Sequence, residues 1–379
     1  MIDTLSAAGY EAYVVGGAVR DAVLGGVPDD WDVTTSAPVN VVQGCFKKHF
    51  DTGIKHGTVT VLCGRKTVEV TTYRIDGRYS DNRRPESVMF TDRLSEDLKR
   101  RDFTVNALAY NDENGIVDLF GGIDDIKNKV IRCVGDPDRR FGEDALRIMR
   151  AVRFSSRLGF EIEEKTFESV KKNAGLLKNI SAERIYSELK KTLLCGGGVE
   201  ILYESGIIGT ILPNAQNNAK AVENVPCAVE TKLAALLFGM SAAQRKDAMT
   251  RLKTDNKTKK AVLGILSLFD ENISSDDICV RQTLSVYGVD VFLKFLDLMS
   301  ALGRDTDEFF EIYERVKNDP VSISGLAVGG KDMAKIGITG TETGRMLKFL
   351  LSEVIKNPSL NDRERLLDMA KTKKSCNIS

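Results

Sequence analysis

Two stretches decide the fold: Val14-Val15-Gly16-Gly17-Ala18-Val19-Arg20-Asp21 and, shortly after it, Asp30-Trp31-Asp32-Val33-Thr34-Thr35. Tyr13 to Val15 is a run of aromatic and β-branched residues, which is typical of a buried strand. Two glycines end that run, and Ala18 to Leu24 has the spacing of a helix. Paired glycines between a strand and a helix let the backbone approach an anion and turn its N–H groups toward it. The first stretch therefore predicts a phosphate-binding turn.

The second stretch predicts a strand that carries Asp30 and Asp32. Residues two apart in a strand project from the same face, so the two carboxylates should lie side by side. Such a pair beside a phosphate-binding turn suits divalent cations that bridge a nucleoside triphosphate. A Gly-Gly pair alone is usually only a turn, and Asp-x-Asp alone is usually a solvated strand end, but their combination in this order is much more specific.

In this order the two stretches resemble the first motif of the nucleotidyltransferase superfamily that includes DNA polymerase β. In detail they are similar to its class II branch, the CCA-adding enzymes and bacterial poly(A) polymerases. The resemblance implies that Asp30 and Asp32 are catalytic and hold Mg²⁺. It also implies that Gly17 and Arg20 contact the triphosphate.

The composition is that of an ordinary soluble globular chain, long enough at 379 residues for two to four packed units. Lys+Arg and Asp+Glu both number 54, so RNA binding would depend on a local basic surface. No apolar run approaches the roughly 18 residues of a membrane span, and no signal-peptide pattern is present. Seven scattered cysteines without Cys-x-x-Cys indicate reduced thiols in a cytoplasmic protein. Only two histidines are present, which argues against zinc and excludes an appended His-Asp phosphohydrolase domain.

Glu69 stands between two valines in the second strand of a predicted hairpin, His56–Leu62 with Thr67–Tyr73. The pattern alone leaves two interpretations open, an edge-strand glutamate facing water or a carboxylate close to the aspartates. The resemblance implies the second, as a third carboxylate of the catalytic site. Upstream, Val39 to Phe50 is predicted to be a helix.

Residues 76–90 have almost no apolar periodicity, which predicts a mobile polar loop that contains Arg78, Arg83 and Arg84. In the family, a flexible loop here helps to switch from adding C to adding A, and it is shortened in enzymes that add only CC. The full length of the loop therefore favours a complete CCA adder.

Residues 100–107, RRDFTVNA, follow a predicted helix, Leu94–Lys99, and match the second motif of the family in full. The resemblance implies that Arg101 contacts the triphosphate and that Asp102 touches the ribose or orients an arginine. Asp118–Ile126 matches the third motif, for which we predict a structural role.

Residues 141–154, FGEDALRIMRAVRF, predict one continuous helix with two acids in its first turn. Asp144 and Arg147 would then be neighbours on one face, directed toward packed structure. On an ideal helix Arg150 lies about 120° and Arg153 about 180° from Asp144. One base cannot meet all four side chains, so the outer two arginines suit phosphate or structural contacts.

A buried Asp–Arg pair can read a base, because a carboxylate accepts hydrogen bonds and a guanidinium donates them. Asp144 would accept from N4 of C or N6 of A, while Arg147 would donate to N3 and O2 of C or to N1 of A. U and G place a carbonyl oxygen where that amine should be, an unpaired buried contact that costs about 1–3 kcal/mol or more. The pair therefore predicts acceptance of CTP and ATP and rejection of UTP and GTP. It matches the family's Glu-Asp-x-x-Arg motif, which implies that Arg150 and Arg153 also belong to the nucleotide site.

The pattern stays helical after Glu161, and basic residues recur there. They form either a solvated face or a track for RNA phosphates. In the tail, residues 338–347 resemble the C-terminal motif of CCA-adding enzymes, with Thr341 near the place of a common proline. The possible track comprises Arg157, Lys165, Lys171, Lys172, Lys178, Arg184, Lys190 and Lys191.

The resemblance covers nearly the whole chain and implies an α/β head with a small mixed or antiparallel sheet, followed by an all-α neck, body and tail. We place these at 1–134, 135–196, 197–300 and 301–379. It implies template-independent addition of CCA to tRNA from CTP and ATP by two-metal nucleotidyl transfer, with release of pyrophosphate. The partners would be the acceptor arm and 3′ end of tRNA, with no membrane and no evident protein partner.

Other functions remain open from the sequence. A poly(A) polymerase or an enzyme that adds only CC or only A would share the head, although Gly53–Thr58 resembles the CCA type. A small-molecule nucleotidyltransferase would explain the aspartate pair but not the Asp144–Arg147 motif. A catalytically dead RNA-binding protein would not need the intact carboxylates.

Overall fold

The computed structural model describes residues 1–77 and 87–376, which form two compact units. The first holds Met1–Ala219 and Ala248–Thr254, and the second holds Lys220–Asp247 and the described chain from Asp255 onward. The predicted division into head, neck, body and tail stays a prediction. None of the described helices has the length and apolar character that a bilayer crossing needs.

The first unit is built on a seven-stranded mixed sheet, as predicted. The strands of the chain are β1 (Ala12–Val15), β2 (Trp31–Thr35), β3 (His49–Gly53), β4 (Thr58–Cys63), β5 (Lys66–Thr72), β6 (Arg74–Asp76), β7 (Val88–Phe90), β8 (Leu108–Asn111), β9 (Gly115–Asp118), β10 (Val130–Ile131) and β11 (Glu161–Ile162). The sheet order is β3-β4-β5-β2-β1-β8-β9, in which β2 and β5 are parallel and the other neighbours antiparallel. The predicted hairpin is therefore confirmed as β4 and β5.

The first unit contains eleven of the described α-helices, of which some pack on the sheet and the later ones follow the sheet in the chain. They are α1 (Ile2–Ala7), α2 (Gly17–Val23), α3 (Val39–Cys45), α4 (Leu94–Lys99), α5 (Gly122–Asn128), α6 (Pro137–Glu143), α7 (Leu146–Leu158), α8 (Glu164–Asn173), α9 (Ala182–Leu194), α10 (Val199–Glu204) and α11 (Ile207–Ile211). Leu5 of α1 and Val42 of α3 pack on one face of the sheet against Val59, Val68 and Val70. Since strand side chains alternate, Glu69 lies on the opposite face.

The rest of the chain is helical. Its helices are α12 (Ala219–Asn224), α13 (Val229–Leu237), α14 (Ala242–Arg251), α15 (Asn256–Asp270), α16 (Asp277–Tyr287), α17 (Val289–Ala301), α18 (Asp307–Val316), α19 (Gly330–Lys335), α20 (Thr341–Lys356) and α21 (Arg363–Cys376). In the second unit, α19, α20 and α21 share a core that includes Met333, Leu350 and Leu366. The predicted change from an α/β head to an all-helical remainder is confirmed.

Two predictions in the head need correction. The predicted helix Val39–Phe50 ends at Cys45, and the chain then forms β3, which pairs with β4 at the edge of the sheet. The predicted polar loop 76–90 is flanked by paired strands, because β6 and β7 form an antiparallel ladder. Arg78, Arg83 and Arg84 lie outside the described residues, so the prediction for the loop itself is untested.

The predicted continuous helix over residues 141–154 is also wrong. Helix α6 ends at Glu143, Asp144 is extended with φ −136° and ψ 102°, and α7 begins at Leu146. The Asp144 carboxylate accepts a hydrogen bond from the backbone N–H of Leu146 at 3.1 Å. A short polar side chain that bonds nearby backbone in this way favours a helix start over a helix interior.

Asp102 ties the turn after α4 to α7. Its carboxylate accepts from Arg150 Nη2 at 2.5 Å and Nε at 2.7 Å, from Asn106 Nδ2 at 3.1 Å and from its neighbour, the backbone N–H of Phe103, at 2.8 Å. Burial by itself raises the pKa of Asp102, but the Arg150 guanidinium and the Asn106 amide outweigh it and lower the pKa to about 2. Two roles were implied for Asp102, contact with the ribose or orientation of an arginine. Its contacts show the second, because it binds Arg150.

We expect Gly122→Ala to lower the free energy of unfolding by about 1–3 kcal/mol. Gly122 begins α5 so close to Thr104 that an added Cβ would lie 2.3 Å from the Thr104 carbonyl oxygen, which belongs to rigid backbone. Gly44→Ala is the matched control, because Gly44 is exposed in α3 and nothing lies within 4 Å of an added Cβ. The control should be neutral or up to about 1 kcal/mol stabilising. Urea unfolding of both variants measures this, and equal stabilities would contradict the packing argument.

Asp102→Asn should cost roughly 2 kcal/mol of unfolding free energy at neutral pH, since an unfolded Asp titrates near 4 and the folded Asp102 near about 2. Because the folded-state pKa is the lower one, this stabilisation is complete above the unfolded pKa and is lost as the pH falls through the folded pKa. Urea unfolding should show a constant difference between wild type and variant above about pH 5, and a shrinking one from about pH 4 to pH 2. A difference that does not change with pH would rule out the ion pair as its cause.

Candidate active site

The charged residues of the motifs gather in one cleft of the first unit, with a volume of about 790 Å³. Nine arginines and seven aspartates of the described chain line it. Glu69 is not among the lining residues. The predicted site residues that line the cleft are Gly17, Arg20, Asp30, Asp32, Arg101, Asp144, Arg147, Arg150 and Arg153.

The predicted catalytic carboxylates meet across two parallel strands. Asp32 of β2 lies in register with Glu69 of β5, and β5 is a central strand between β4 and β2. Glu69 is therefore not on an edge strand, although its side chain is exposed to water as that interpretation expected. Asp30 precedes β2, which begins at Trp31, so the strand carries only one of the two aspartates.

The electrostatics of these carboxylates fit a divalent cation. Partial desolvation by the surrounding protein raises the pKa of Asp32, although the Arg101 guanidinium opposes this and Asp30 adds to it. Desolvation also raises the pKa of Glu69, and the charges of Asp32 and Asp30 add to that effect. No ion pair between described residues involves Asp30, Asp32 or Glu69, so these hard oxygen donors stay available to a cation. Across residues 1–77 and 87–376, no three Asp, Glu, His or Cys side chains are gathered closely enough to hold a metal by themselves. Such a donor set suits Mg²⁺, which binds one or two carboxylates and takes its other ligands from phosphates and water.

The glycine turn is built around Arg101. Gly16 has φ +72°, and a Cβ added to it would lie 2.9 Å from Arg101 Nη1, so any other residue would displace the guanidinium. Asp97 holds Arg101 at 3.4 Å, while the Arg101 Nε is buried with no hydrogen-bond partner among the described residues. Burial lowers the pKa of Arg101. Arg101 also lines the cleft, so the guanidinium N–H groups that Asp97 does not use and that remain accessible are suited to a phosphate oxygen.

Three arginines of the cleft lie against the ring of Phe154. The guanidinium carbons of Arg153, Arg150 and Arg20 lie 4.1, 5.1 and 5.2 Å from the centroid of its ring. Attraction between guanidinium groups and an aromatic face favours this arrangement. Arg20 is also bound by Asp21 at 2.7 Å and by the Asn106 side chain.

Asp144 and Arg147 line the same cleft but have separate partners. Arg184 of α9 binds Asp144, with Nη2 to Oδ2 at 2.9 Å. Arg147 donates to Glu143 at 2.9 Å and to the carbonyl oxygens of Arg140 and Arg100 at 3.2 and 2.9 Å. Arg147 is buried and Asp144 half-buried. Because the helix breaks between them, they are not the predicted i,i+3 pair on one helical face.

The outer two arginines make structural contacts. Arg150 binds Asp102 as described above, and Arg153 Nε donates to Glu188 of α9 at 2.6 Å. Both still line the cleft, so a phosphate contact for either stays a prediction.

In the possible basic track, Arg157 lies 3.4 Å from Asp21 and Lys172 lies 2.5 Å from Asp138.

Sequence reasoning missed the parts played by Phe154, Arg184 and Glu188. Arg184 was assigned to the possible RNA track, 40 residues from the aspartate that it binds. The one available signal was the spacing of Arg184 and Glu188, which places opposite charges one turn apart on a helix. That signal does not say which residues they face.

The chain matches three family models along its length. Residues 12–132 match the poly A polymerase head domain, and residues 159–218 match the "Probable RNA and SrmB- binding site of polymerase A". Residues 228–370 match a tRNA nucleotidyltransferase domain 2.

Relatives and solved structures agree with these matches. The chain is 38% identical to the CCA-adding enzyme of Lactococcus lactis subsp. cremoris (strain MG1363), over 98% of this chain and 94% of the relative. The CCA-adding enzyme of Bacillus stearothermophilus, solved in complex with CTP, has a TM-score of 0.83 and 32% identity, over 99% of this chain and 96% of that one. The Thermotoga maritima CCA-adding enzyme complexed with tRNA shares the fold, with a TM-score of 0.69 and 21% identity over 98% and 93% of the two chains. The chain therefore belongs to the family of CCA-adding enzymes, which are tRNA nucleotidyltransferases.

Proposed function

We propose that this chain adds C, C and A to the 3′ end of tRNA from CTP and ATP, without a nucleic-acid template. The observation that carries the proposal is the meeting of unpaired carboxylates and arginines in one cleft of a chain from this family. The carboxylates suit a metal-assisted attack, and the arginines suit a triphosphate. A tRNA substrate also leads us to propose a cytoplasmic location.

The family needs a divalent metal ion, and we propose that it is Mg²⁺ held by Asp30 and Asp32. When bound, the ion supplies positive charge for the triphosphate and makes the 3′-hydroxyl of the tRNA a better nucleophile. Asp30 and Asp32, which line the cleft, would fix the position of that charge. Glu69, in register with Asp32, assists as a further ligand or as a base for the hydroxyl proton.

The triphosphate would lie against the glycine turn and its arginines. Gly17 allows the backbone to approach the phosphates, and Arg101, which lines the cleft, offers its accessible guanidinium N–H groups. Arg20 adds a second guanidinium, held by Asp21 and Phe154. These groups neutralise the charge that develops on the leaving pyrophosphate during in-line attack at the α-phosphate.

Asp144 and Arg147 would read the base from opposite sides of the helix break. Three hydrogen bonds use three of the five N–H donors of Arg147, so two remain for N3 and O2 of cytosine or for N1 of adenine. Asp144 would accept from the exocyclic amine. Arg150 and Arg153 complete the nucleotide site as cations at its edge.

The helical remainder of the chain would hold the tRNA. We propose that the neck (135–196) carries base recognition, and that the body (197–300) and tail (301–379) bind the acceptor arm. A poly(A) polymerase or a partial adder would use the same head, so the product of the reaction must separate these functions.

Primer extension on tRNA that lacks its last three nucleotides tests the proposal. With Mg²⁺ we expect two additions from CTP alone and one further A when ATP is also present. CC without A would make the chain a CC adder, and unlimited A from ATP alone would make it a poly(A) polymerase. No incorporation would contradict nucleotidyl transfer to tRNA.

Asp32→Asn should lower kcat for C addition by at least about 1,000-fold, because it removes a charge that the metal site needs. Asp29→Asn is the matched control, since Asp29 is a neighbouring exposed aspartate to which we assign no role. We expect that control to stay within about threefold of wild type. Equal losses in the two variants would show that the overall charge of the cleft matters and not the position of Asp32.

A further inference from the structure

The carboxylate of Asp144 is held mainly by α9. Arg184 spans its carboxylate, with Nη2 to Oδ2 at 2.9 Å and Nη1 to Oδ1 at 3.4 Å. A guanidinium that meets both oxygens of a carboxylate fixes the plane of that group as well as its place. The backbone of Asp144 is bonded to both flanking helices, with its N–H 3.3 Å from the Arg140 carbonyl oxygen and its carbonyl oxygen 3.0 Å from the Arg147 N–H. Apart from Arg184, only the Leu146 N–H of α7 bonds its carboxylate among the described residues.

The contacts of Asp144 leave it little capacity for other partners. A carboxylate has about four acceptor positions. Arg184 uses two, and the backbone N–H of Leu146 uses another at 3.1 Å. The position that remains can accept one N–H, and an ionised carboxylate bound to a cation donates none.

Glu188 gives α9 a second contact with the cleft. It lies four residues after Arg184, on the same side of α9, and accepts from Arg153 at 2.6 Å. Arg153 in turn lies against Phe154. One face of α9 therefore orients an acid and an arginine of the nucleotide site at the same time.

We propose that Arg184 is a positioning residue, which fixes Asp144 as an acceptor and thereby sets the preference for bases with an exocyclic amine. The inference rests on the proposed function, in which Asp144 reads the base. With Arg184 in place, the carbonyl oxygen of U or G faces a carboxylate oxygen that cannot turn away. Without Arg184 the carboxylate can rotate. The amine of C then loses its acceptor, and the carbonyl oxygen of U no longer meets a fixed carboxylate oxygen that repels it.

The test measures kcat/KM for addition of CTP and of UTP to tRNA that lacks its last three nucleotides, with Mg²⁺. In Arg184→Gln we expect the CTP-over-UTP ratio to fall by about tenfold or more. Arg184→Lys should recover part of the ratio, because an ammonium lacks the planar fork that fixes both oxygens. Arg157→Gln is the matched control, since it removes a cleft arginine that pairs with Asp21 and should change both nucleotides alike.

A double-mutant cycle separates positioning from a general structural role. If Arg184 acts through Asp144, Asp144→Ala and the double variant with Arg184→Gln should have the same CTP-over-UTP ratio. Thermal unfolding checks that each variant is folded. If Arg184→Gln is not folded, the same cycle is measured with Arg184→Lys, Asp144→Ala and the double variant of these two.

Three results would overturn the proposal. They are an unchanged ratio in folded Arg184→Gln, a further fall of the ratio in the double variant, and a rise in the KM for tRNA alone, which would make Arg184 a phosphate ligand. Failure of the wild type to add C or A in the same assay would instead overturn the proposed function and this inference with it.

Discussion

Each of the nine arginines in the cleft pairs with a carboxylate, and the arrangement of the site depends on this pairing. Guanidinium groups this close would otherwise repel one another and spread. Asp30, Asp32 and Glu69 are the opposite case, because no arginine of the described chain pairs with them. One cleft therefore holds arginines that suit a triphosphate together with Asp30 and Asp32, which suit a metal ion, and Glu69 lies beside Asp32 without lining the cleft.

The break at Asp144 lets two helices contribute to the base-reading site that we propose. In an unbroken helix, Asp144 and Arg147 would share a face and bind each other, since opposite charges at this spacing attract. The extended backbone at Asp144 separates them, so Glu143 satisfies Arg147 and Arg184 satisfies Asp144. Each side chain is fixed by its own partner and keeps hydrogen-bonding capacity for a nucleotide.

The sequence was sufficient where local patterns decide the structure. Alternation predicted β4 and β5, and the glycine turn with its aspartates predicted carboxylates beside a phosphate-binding turn. The arginines of the triphosphate site were implied by the family resemblance. It was insufficient where distant contacts decide. Residues 141–154 have good overall helix propensity, and the preference of Asp144 for a helix start is a weak local signal that does not show its contact with Arg184. Strand β3 forms because the edge of β4 offers a partner. Nine residues of the cleft were thus predicted, but not their partners.

The most direct test of this account is a crystal structure of the chain with CTP bound. The account predicts the 4-amino group of cytosine within hydrogen-bond distance of Asp144, with Arg184 still bound to the same carboxylate and Arg147 donating to N3 or O2. Cytosine read by other groups, with Asp144 turned away or Arg184 released to a phosphate, would contradict it.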